Sequence, residues 1–125
     1  MPPPMTKKKV QPPPESLLPL APATFDIVLA LVDGELHGYA IMKEVAERTG
    51  GAVQVGAGTL YGVLKRLLAA GVVEETEHPD PESGDERRRY YRLTGYGVAV
   101  ARAEAARLGR IFRDAQRKKL VGRLA

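Results

Sequence analysis

Residues 58–71 carry the side chains best suited to binding an anionic partner. The apolar residues of this segment recur at helical spacing and predict one buried face: Leu60, Val63, Leu64, Leu67 and Leu68. The opposite face is small at its start and cationic further along: Gly58, Thr59, Gly62, Lys65, Arg66 and Ala69. Lysine and arginine suit phosphate oxygens and the acceptors of guanine, so Lys65 and Arg66 are expected to contact nucleic acid. A plain solvent-exposed helix face is the alternative.

Glycine and threonine set the ends and the shape of this predicted helix. Thr59 is expected to cap its start, since the hydroxyl can accept a hydrogen bond from a free amide of the first turn, and it could also touch a phosphate. Gly71 supplies a residue that turns left-handed at the end. Gly62 would let DNA approach the helix closely. The alternative is that Gly62 has no role in binding and only weakens the helix, by up to about 1 kcal/mol.

Patterns for catalysis or metal binding are missing from the sequence. The chain has no cysteine, and its two histidines, His37 and His78, lie on separate turns, so disulfides are excluded and a metal site is not indicated. No Ser/His/Asp set and no pair of catalytic carboxylates is evident. The segment Gly56-Ala57-Gly58 is too short for a phosphate-binding loop. We therefore expect neither an enzyme nor a bound cofactor.

The charge of the chain favours an anionic partner. Its 125 residues are enough for one domain with a core, and they carry a formal net charge of +4 with a pI near 9.5. The cations cluster at Lys7–Lys9, at Arg87–Arg89 and near the end of the chain, at Arg102, Arg107, Arg110, Arg113, Arg117, Lys118, Lys119 and Arg123. The sequence has no run of about 18 apolar residues and no apolar leader. No membrane contact and a cytoplasmic location are expected.

A proline-rich arm and two helices are predicted before the cationic helix. Prolines dominate residues 1–22, and because proline lacks the amide donor and fixes φ, this arm is expected to be disordered. Helix one is predicted over residues 24–34. It is apolar on most sides, and a second subunit is expected to cover the apolar surface at Phe25 and Leu29 that the core of its own domain does not. Helix two is predicted over residues 38–49.

The periodicity changes to that of strands after the cationic helix. Residues 72–78 and 87–93 are predicted to pair as a hairpin wing, joined by a loop rich in turn residues. Side chains alternate along a strand, so at most two of the three arginines in Arg87–Arg89 can face DNA together. Another is expected to neutralise a glutamate of the first strand: Glu74, Glu75 or Glu77.

A long helix with one apolar seam is predicted at the end of the chain. Thr94 would cap it, and it runs over residues 95–119. Its apolar residues recur every third or fourth position: Val98, Ala101, Ala105, Leu108, Phe112 and Ala115. A single helix of this length has little left in one subunit to pack on, so the seam is expected to meet the same helix of a second subunit, together with Phe25 and Leu29. The alternative is that it folds back on its own domain.

Five short motifs follow one another in this order: Gly38-Tyr39, Gly58-Thr59-Leu60-Tyr61, Leu64-Lys65-Arg66-Leu67, Gly71-Val72-Val73 and Arg88-Arg89-Tyr90-Tyr91-Arg92-Leu93-Thr94. Together they resemble the PadR family of bacterial transcriptional regulators over roughly residues 24–115. The resemblance implies a mainly α (α+β) fold, a winged helix-turn-helix with a two-stranded wing and a long C-terminal dimerisation helix. It divides the chain into a disordered arm (1–22), a DNA-binding domain (23–94) and a dimerisation helix with tail (95–125).

The same resemblance implies a homodimeric, sequence-specific DNA-binding repressor that a small aromatic or drug-like effector releases. Helix three would lie in the major groove, and Tyr39 and Tyr61 would aim hydroxyls at phosphates or serve only in packing. Dimer symmetry predicts a pseudo-palindromic operator. The alternative function is a winged helix that docks on an acidic protein without specific DNA binding. The residues expected at the DNA are Tyr39, Thr59, Tyr61, Gly62, Lys65, Arg66, Arg87, Arg88 and Arg89.

Two features depart from the family pattern. Ala57 stands where family members usually have a proline, so the start of helix three is expected to be looser. The tip of the wing is acidic, and phosphate would repel it: Asp80, Glu82, Asp85 and Glu86.

Overall fold

Four α-helices and a three-stranded antiparallel sheet make up the residues that this computed structural model describes, 10–79 and 87–122. In chain order they are α1 (Pro22–Ala30), β1 (Leu36–His37), α2 (Gly38–Arg48), α3 (Ala57–Ala69), β2 (Val73–Pro79), β3 (Arg87–Leu93) and α4 (Gly95–Arg117). A short 3₁₀ helix, Pro14–Leu17, precedes α1. The predicted winged-helix order is confirmed. None of the described helices has the length and apolar character needed to cross a membrane.

The core lies between the first three helices and the base of the wing. α3 contributes its predicted apolar face, since Leu60, Val63, Leu64 and Leu67 are all buried. Side chains of α1 and α2 pack into the same cluster: Ile27, Val28, Ile41 and Val45. Burying one such side chain stabilises the fold by about 1.5–3 kcal/mol. The core therefore holds α3 by one face and leaves the other face to solvent.

β2 and β3 form the predicted two-stranded wing, and β1 adds a third strand at its base, so the sheet has the order β1–β3–β2. β1 pairs Leu36 with Tyr91 and His37 with Tyr90. Two residues carry too little alternation to indicate a strand, which is why the sequence does not reveal it. β2 and β3 pair as predicted, from Val73 opposite Leu93 to the strand ends.

α4 begins where the sequence predicts. The Thr94 hydroxyl accepts a hydrogen bond from the Gly97 amide (2.9 Å) and donates one to the Gly71 carbonyl oxygen (2.6 Å). This threonine therefore joins the start of α4 to the turn after α3. Four residues in the first half of α4 are buried, from Gly97 to Glu104, and none of the described residues of α4 after Glu104 is. The first half of α4 thus packs on its own domain, and the second half is open to solvent.

Residues 10–21 pack against α4 and the core, which corrects the prediction of a disordered arm for this part of it. Three leucines of the stretch are partly buried against the core: Leu17, Leu18 and Leu20. The Tyr96 hydroxyl donates a hydrogen bond to the Pro12 carbonyl oxygen (2.8 Å). Proline removes an amide donor but keeps this acceptor, so apolar contacts and carbonyl bonds hold the segment. Residues 1–9, with Lys7–Lys9, lie outside the described residues.

Proline also begins α1, earlier than predicted. Pro22 occupies the first turn, where a missing amide leaves no hydrogen bond unmade. The helix therefore starts two residues before the predicted position and ends at Ala30.

Glu104 is a buried charge that ties the N-terminal segment to α4. Its side chain is 2% exposed. The carboxylate accepts hydrogen bonds from Nε and Nη2 of Arg107 (2.6 and 3.0 Å) and from the Leu20 amide (3.1 Å). The hydrogen bond from Arg107 outweighs desolvation and, with the Leu20 amide, lowers the pKa of the Glu104 carboxyl below its ordinary value of 4.5. Glu104 is therefore ionised and satisfied in the folded protein.

Replacing Glu104 by glutamine is expected to lower the free energy of unfolding by about 2 kcal/mol at neutral pH, because hydrogen bonds to a charged acceptor are lost. The pKa of Glu104 is lower in the folded chain than in the unfolded chain. Its contribution is therefore complete above the ordinary value of 4.5 and is lost as the pH falls through the folded pKa. Urea unfolding of both proteins across this range measures the difference. If the difference in the free energy of unfolding between the two proteins stayed constant as the pH fell, the role of the ionised carboxylate would be contradicted.

Candidate nucleic-acid interface

The face of α3 opposite the core presents two cations to solvent. Lys65 and Arg66 are exposed, and neither forms an ion pair with any other part of the chain that the structure describes. Gly62 lies one turn earlier, and a Cβ placed on it would come within 3.9 Å of Nη1 of Arg66. Both charges are therefore free to meet an anion.

Thr59 is not the cap of α3, contrary to the prediction. The helix begins at Ala57, with Gly56 as the N-cap residue and no side-chain cap bond. The Leu60 amide already bonds the Gly56 carbonyl oxygen (2.9 Å), which closes the first turn before Thr59 can cap it. The exposed threonine thus lies inside the first turn. The predicted left-handed end at Gly71 is confirmed, with φ of +76°.

Tyr61 lies directly against the start of α2. A Cβ placed on Gly38 would collide with the hydroxyl and the Cζ atom of Tyr61, so the missing side chain of Gly38 makes room for this ring. Tyr61 is still 48% exposed, and its neighbour across the contact, Tyr39, is 69% exposed. The Gly-Tyr motif of α2 and the Leu-Tyr motif of α3 therefore fit together, and both phenols keep an open side.

His37 has no role assigned from the sequence, but the structure makes it the N-cap residue of α2. Its Nδ1 accepts a hydrogen bond from the Ala40 amide (3.2 Å), and its ring meets Tyr90 edge-on at 5.5 Å. In the sequence, the only indication of this cap is that a histidine directly precedes Gly38. Histidine is not among the residues preferred at the N-cap position, so the cap is not predicted. Within residues 10–79 and 87–122, no three His, Asp or Glu side chains lie together in a way that could hold a metal ion.

The wing brings arginines and glutamates together on its two faces. Arg89 lies on the same face of β3 as Tyr91, and its Nε is 3.4 Å from Oε2 of Glu75. Arg92 lies on the other face and pairs with Glu74 at 2.6 Å. The predicted neutralisation of one arginine by a glutamate of the first strand is thus seen at Arg89. The side chain of Arg87 and the acidic wing tip, residues 80–86, lie outside the described residues.

A shallow depression of the surface joins the start of α2, the start of α3 and β3. Seven residues line it: His37, Gly38, Tyr39, Tyr61, Arg88, Arg89 and Tyr91. The structure therefore collects the two predicted phenols and two of the predicted arginines in one place. Lys65 and Arg66 lie further along α3 and do not line it. The depression itself therefore combines two guanidinium groups with tyrosine hydroxyls.

Tyr91 forms the floor of this depression and is 4% exposed. Burial raises the pKa of its phenol above the ordinary value of 10.0, the negative charge of Glu75 and the nearby Tyr61 add to this, and Arg89 acts in the opposite direction. The phenol therefore stays neutral at physiological pH.

Five of the eight residues predicted at the dimer interface line a second, apolar depression between α1 and α4. It is lined by Phe25, Leu29, Val32, Leu93, Val98, Ala101, Arg102 and Ala105. Val98 and Leu108 are 37% and 39% exposed, whereas Ala101, at 8%, is already buried in its own subunit. Phe112 and Ala115 are partly buried. Ile111, 51% exposed, is an apolar residue of the same helix that the predicted seam leaves out.

Comparison with known proteins gives a family and a set of similar folds. The family model described as "Transcriptional regulator PadR-like family" matches residues 27–103. An "Uncharacterized 37.1 kDa protein in transposon TN4556" from Streptomyces fradiae is 41% identical over 93 residues, which cover 71% of this chain and 25% of that protein. The chain thus spans a quarter of the length of this relative.

Two solved structures illustrate the likeness of the fold. A PadR family transcription regulator from Clostridium difficile superposes with a TM-score of 0.63 at 27% identity, covering 74% of this chain and 95% of that one. Bacillus subtilis PadR in complex with operator DNA superposes with a TM-score of 0.57 at 24% identity, covering 64% of this chain and 45% of that one.

Proposed function

Because this chain belongs to the PadR-like family of transcriptional regulators, we propose that it binds double-stranded DNA as a sequence-specific homodimer and represses transcription. α3 would enter the major groove, and the wing would lie over the adjacent backbone. Residues 23–94 would form the DNA-binding unit, and residues 95–125 the dimerisation helix and tail. The Bacillus subtilis PadR of similar fold was solved with operator DNA, which supports DNA as the ligand.

The observation that carries the proposal is the division of α3 into a buried face and an exposed cationic face. Four leucine and valine side chains fix the helix in the core. Lys65 and Arg66 project on the other side, where they would contact base edges or phosphates. Tyr39, Tyr61 and Arg89 would hold a backbone phosphate beside the groove, since hydroxyl and guanidinium groups both donate to phosphate oxygens. Thr59 and Arg88 would add further phosphate contacts.

The dimer is supported by the exposed apolar surface of α1 and α4. Phe25 and Leu29 line the same apolar depression as Val98 and Ala105, and Leu108 continues the exposed strip along α4. A second copy of the chain would cover this strip and set two α3 helices at a fixed spacing. A pseudo-palindromic operator, with half-sites about one helical turn apart, follows from such symmetry.

We extend the proposal to release by a small aromatic or drug-like effector. The support is the apolar character of the depression between α1 and α4, with the Phe25 ring and the Arg102 side chain at its border. A flat apolar molecule bound there would meet both dimerisation elements. Its binding would then change the spacing of the two α3 helices. Addition of planar aromatic compounds to the protein–operator complex, followed by fluorescence anisotropy, tests this extension.

Selection of bound duplexes from a random DNA pool tests the main proposal. Enrichment of one symmetric sequence is the expected result. Recovery of no preferred sequence would favour a winged helix that docks on an acidic protein.

Replacement of Lys65 or Arg66 by alanine is expected to weaken binding to the selected duplex roughly tenfold each. If the side chain touches only phosphate, the loss should be equal on all sequences and the salt slope should fall by about 1. Arg110→Ala is the matched control, because it removes the same charge from an exposed position on the second half of α4. Titration by fluorescence anisotropy measures all three. Wild-type affinity in both α3 variants would contradict the placement of α3 in the groove.

A further inference from the structure

A negative charge lies inside the proposed DNA-binding surface. Glu75 is on the same face of the wing as Tyr91 and Arg89, and its Oε2 is 3.4 Å from Nε of Arg89. Its side chain is 35% exposed, and that of Arg89 is 66% exposed. Glu75 is thus close enough to Arg89 to hold its guanidinium, and both side chains remain partly open to solvent.

Arg89 pairs with a carboxylate in the free protein and would meet a phosphate in the complex with DNA. In the free protein its guanidinium faces the Glu75 carboxylate, and it also lines the depression that holds Tyr39 and Tyr61. A bound phosphate in that depression would compete with the carboxylate for the same N–H donors. The Arg89–Glu75 pair must therefore open before Arg89 can bind DNA fully.

Resting on the proposed function, we propose that Glu75 limits the affinity of the protein for DNA by holding Arg89 away from phosphate until α3 is docked on its operator. On non-specific DNA the interface is loose, and Arg89 stays with Glu75. On the operator, close docking brings a phosphate near enough to displace the carboxylate. Glu75 thereby removes one phosphate contact from non-specific binding, which depends almost entirely on such contacts. It lowers operator affinity by the free energy needed to open the pair, which is the larger loss because the pair stays closed on non-specific DNA.

Glu75→Gln tests this assignment, because it removes the charge and keeps the shape. Affinity for non-specific duplex is expected to rise roughly fivefold, with a salt slope steeper by about 1, since one more phosphate is neutralised. Affinity for the operator is expected to rise by at least the same factor, with an unchanged slope, because the pair no longer has to be opened. The ratio of operator to non-specific affinity therefore stays constant or rises. Fluorescence anisotropy over a salt series gives all four quantities.

Glu74→Gln is the matched control. Glu74 is the adjacent residue of β2, carries the same charge and pairs with Arg92 on the other face of the wing at 2.6 Å. It should leave both affinities and both slopes unchanged. Equal effects of the two substitutions would show a general charge effect and overturn the assignment.

A second pair of variants tests whether Glu75 acts through Arg89. In an Arg89→Gln background, Glu75→Gln should no longer change non-specific affinity. A gain of the same size there would show direct repulsion between Glu75 and DNA, and it would overturn the proposed pair. Wild-type affinity and slopes in Glu75→Gln itself would also overturn it. Failure of the proposed function gives a different result: the wild-type protein would show no operator preference, and both proposals would fall.

Discussion

Replacement of Gly97 by alanine is expected to destabilise the fold by about 3 kcal/mol or more, because overpacking against fixed backbone is costly. A Cβ on Gly97 would collide with the carbonyl oxygen of Val72 and lie 3.0 Å from its carbonyl carbon. Val72 cannot retreat, since its side chain is 1% exposed and its carbonyl oxygen accepts the Thr94 amide at 3.0 Å. The midpoint of thermal unfolding should fall by more than about 10 °C.

Gly95→Ala is the control for helix propensity. Gly95 lies at the first position of the same helix, and a Cβ there would meet nothing within 4 Å. This variant should unfold within about 2 °C of the wild type, or slightly above it, because alanine is the better helix former. Circular dichroism on heating measures both. Equal midpoints for the Gly97 and Gly95 variants would show that α4 does not approach Val72 this closely.

The close contact at Gly97 has a consequence for function. Val72 follows the turn that ends α3, and Thr94 is bonded to the same turn through Gly71. The start of α4 is therefore fixed to the end of α3 by the close approach of Gly97 to the Val72 backbone and by the amide and hydroxyl of Thr94. In the proposed dimer, a shift of α4 would therefore move the end of α3 with it.

Features that depend on local periodicity could be predicted from the sequence. The buried face of α3 follows from the spacing of Leu60, Val63, Leu64 and Leu67, and the core selects those same residues. The wing strands follow from alternation, and Thr94 could be recognised as a cap because capping is a contact between near neighbours. Each of these needs only a few consecutive residues.

Features that depend on distant partners could not be predicted in this way. The prolines of residues 10–21 predict a disordered segment, yet the Leu20 amide donates a hydrogen bond to the Glu104 carboxylate on α4, 84 positions later. The sequence around Gly97 does not indicate that the Val72 carbonyl group lies against this glycine. The role of Glu75 requires the register of the wing, which puts it on the face of Arg89. Sequence spacing carries no information on such pairs.

Replacement of Phe112 by aspartate is expected to convert the proposed dimer into monomers. Phe112 lies on the second half of α4, beyond the buried residues of the core, and its neighbours Leu108 and Ile111 are 39% and 51% exposed. A carboxylate buried in an apolar seam would be desolvated without a partner, which costs several kcal/mol. Sedimentation should show a mass near 13.6 kDa, the value for one chain, in place of twice that mass.

Operator binding should weaken by at least about 100-fold in the same variant, because the second half-site no longer benefits from a linked subunit. Ala106→Asp is the control: it places the same charge on an exposed residue of α4, about 120° around the helix from Phe112. This control should remain dimeric and keep operator affinity, and circular dichroism should show equal helix content in both variants. A Phe112→Asp protein that sediments like the control would place the dimer contact elsewhere. The spacing of the two α3 helices would then have to be set by another surface of the chain.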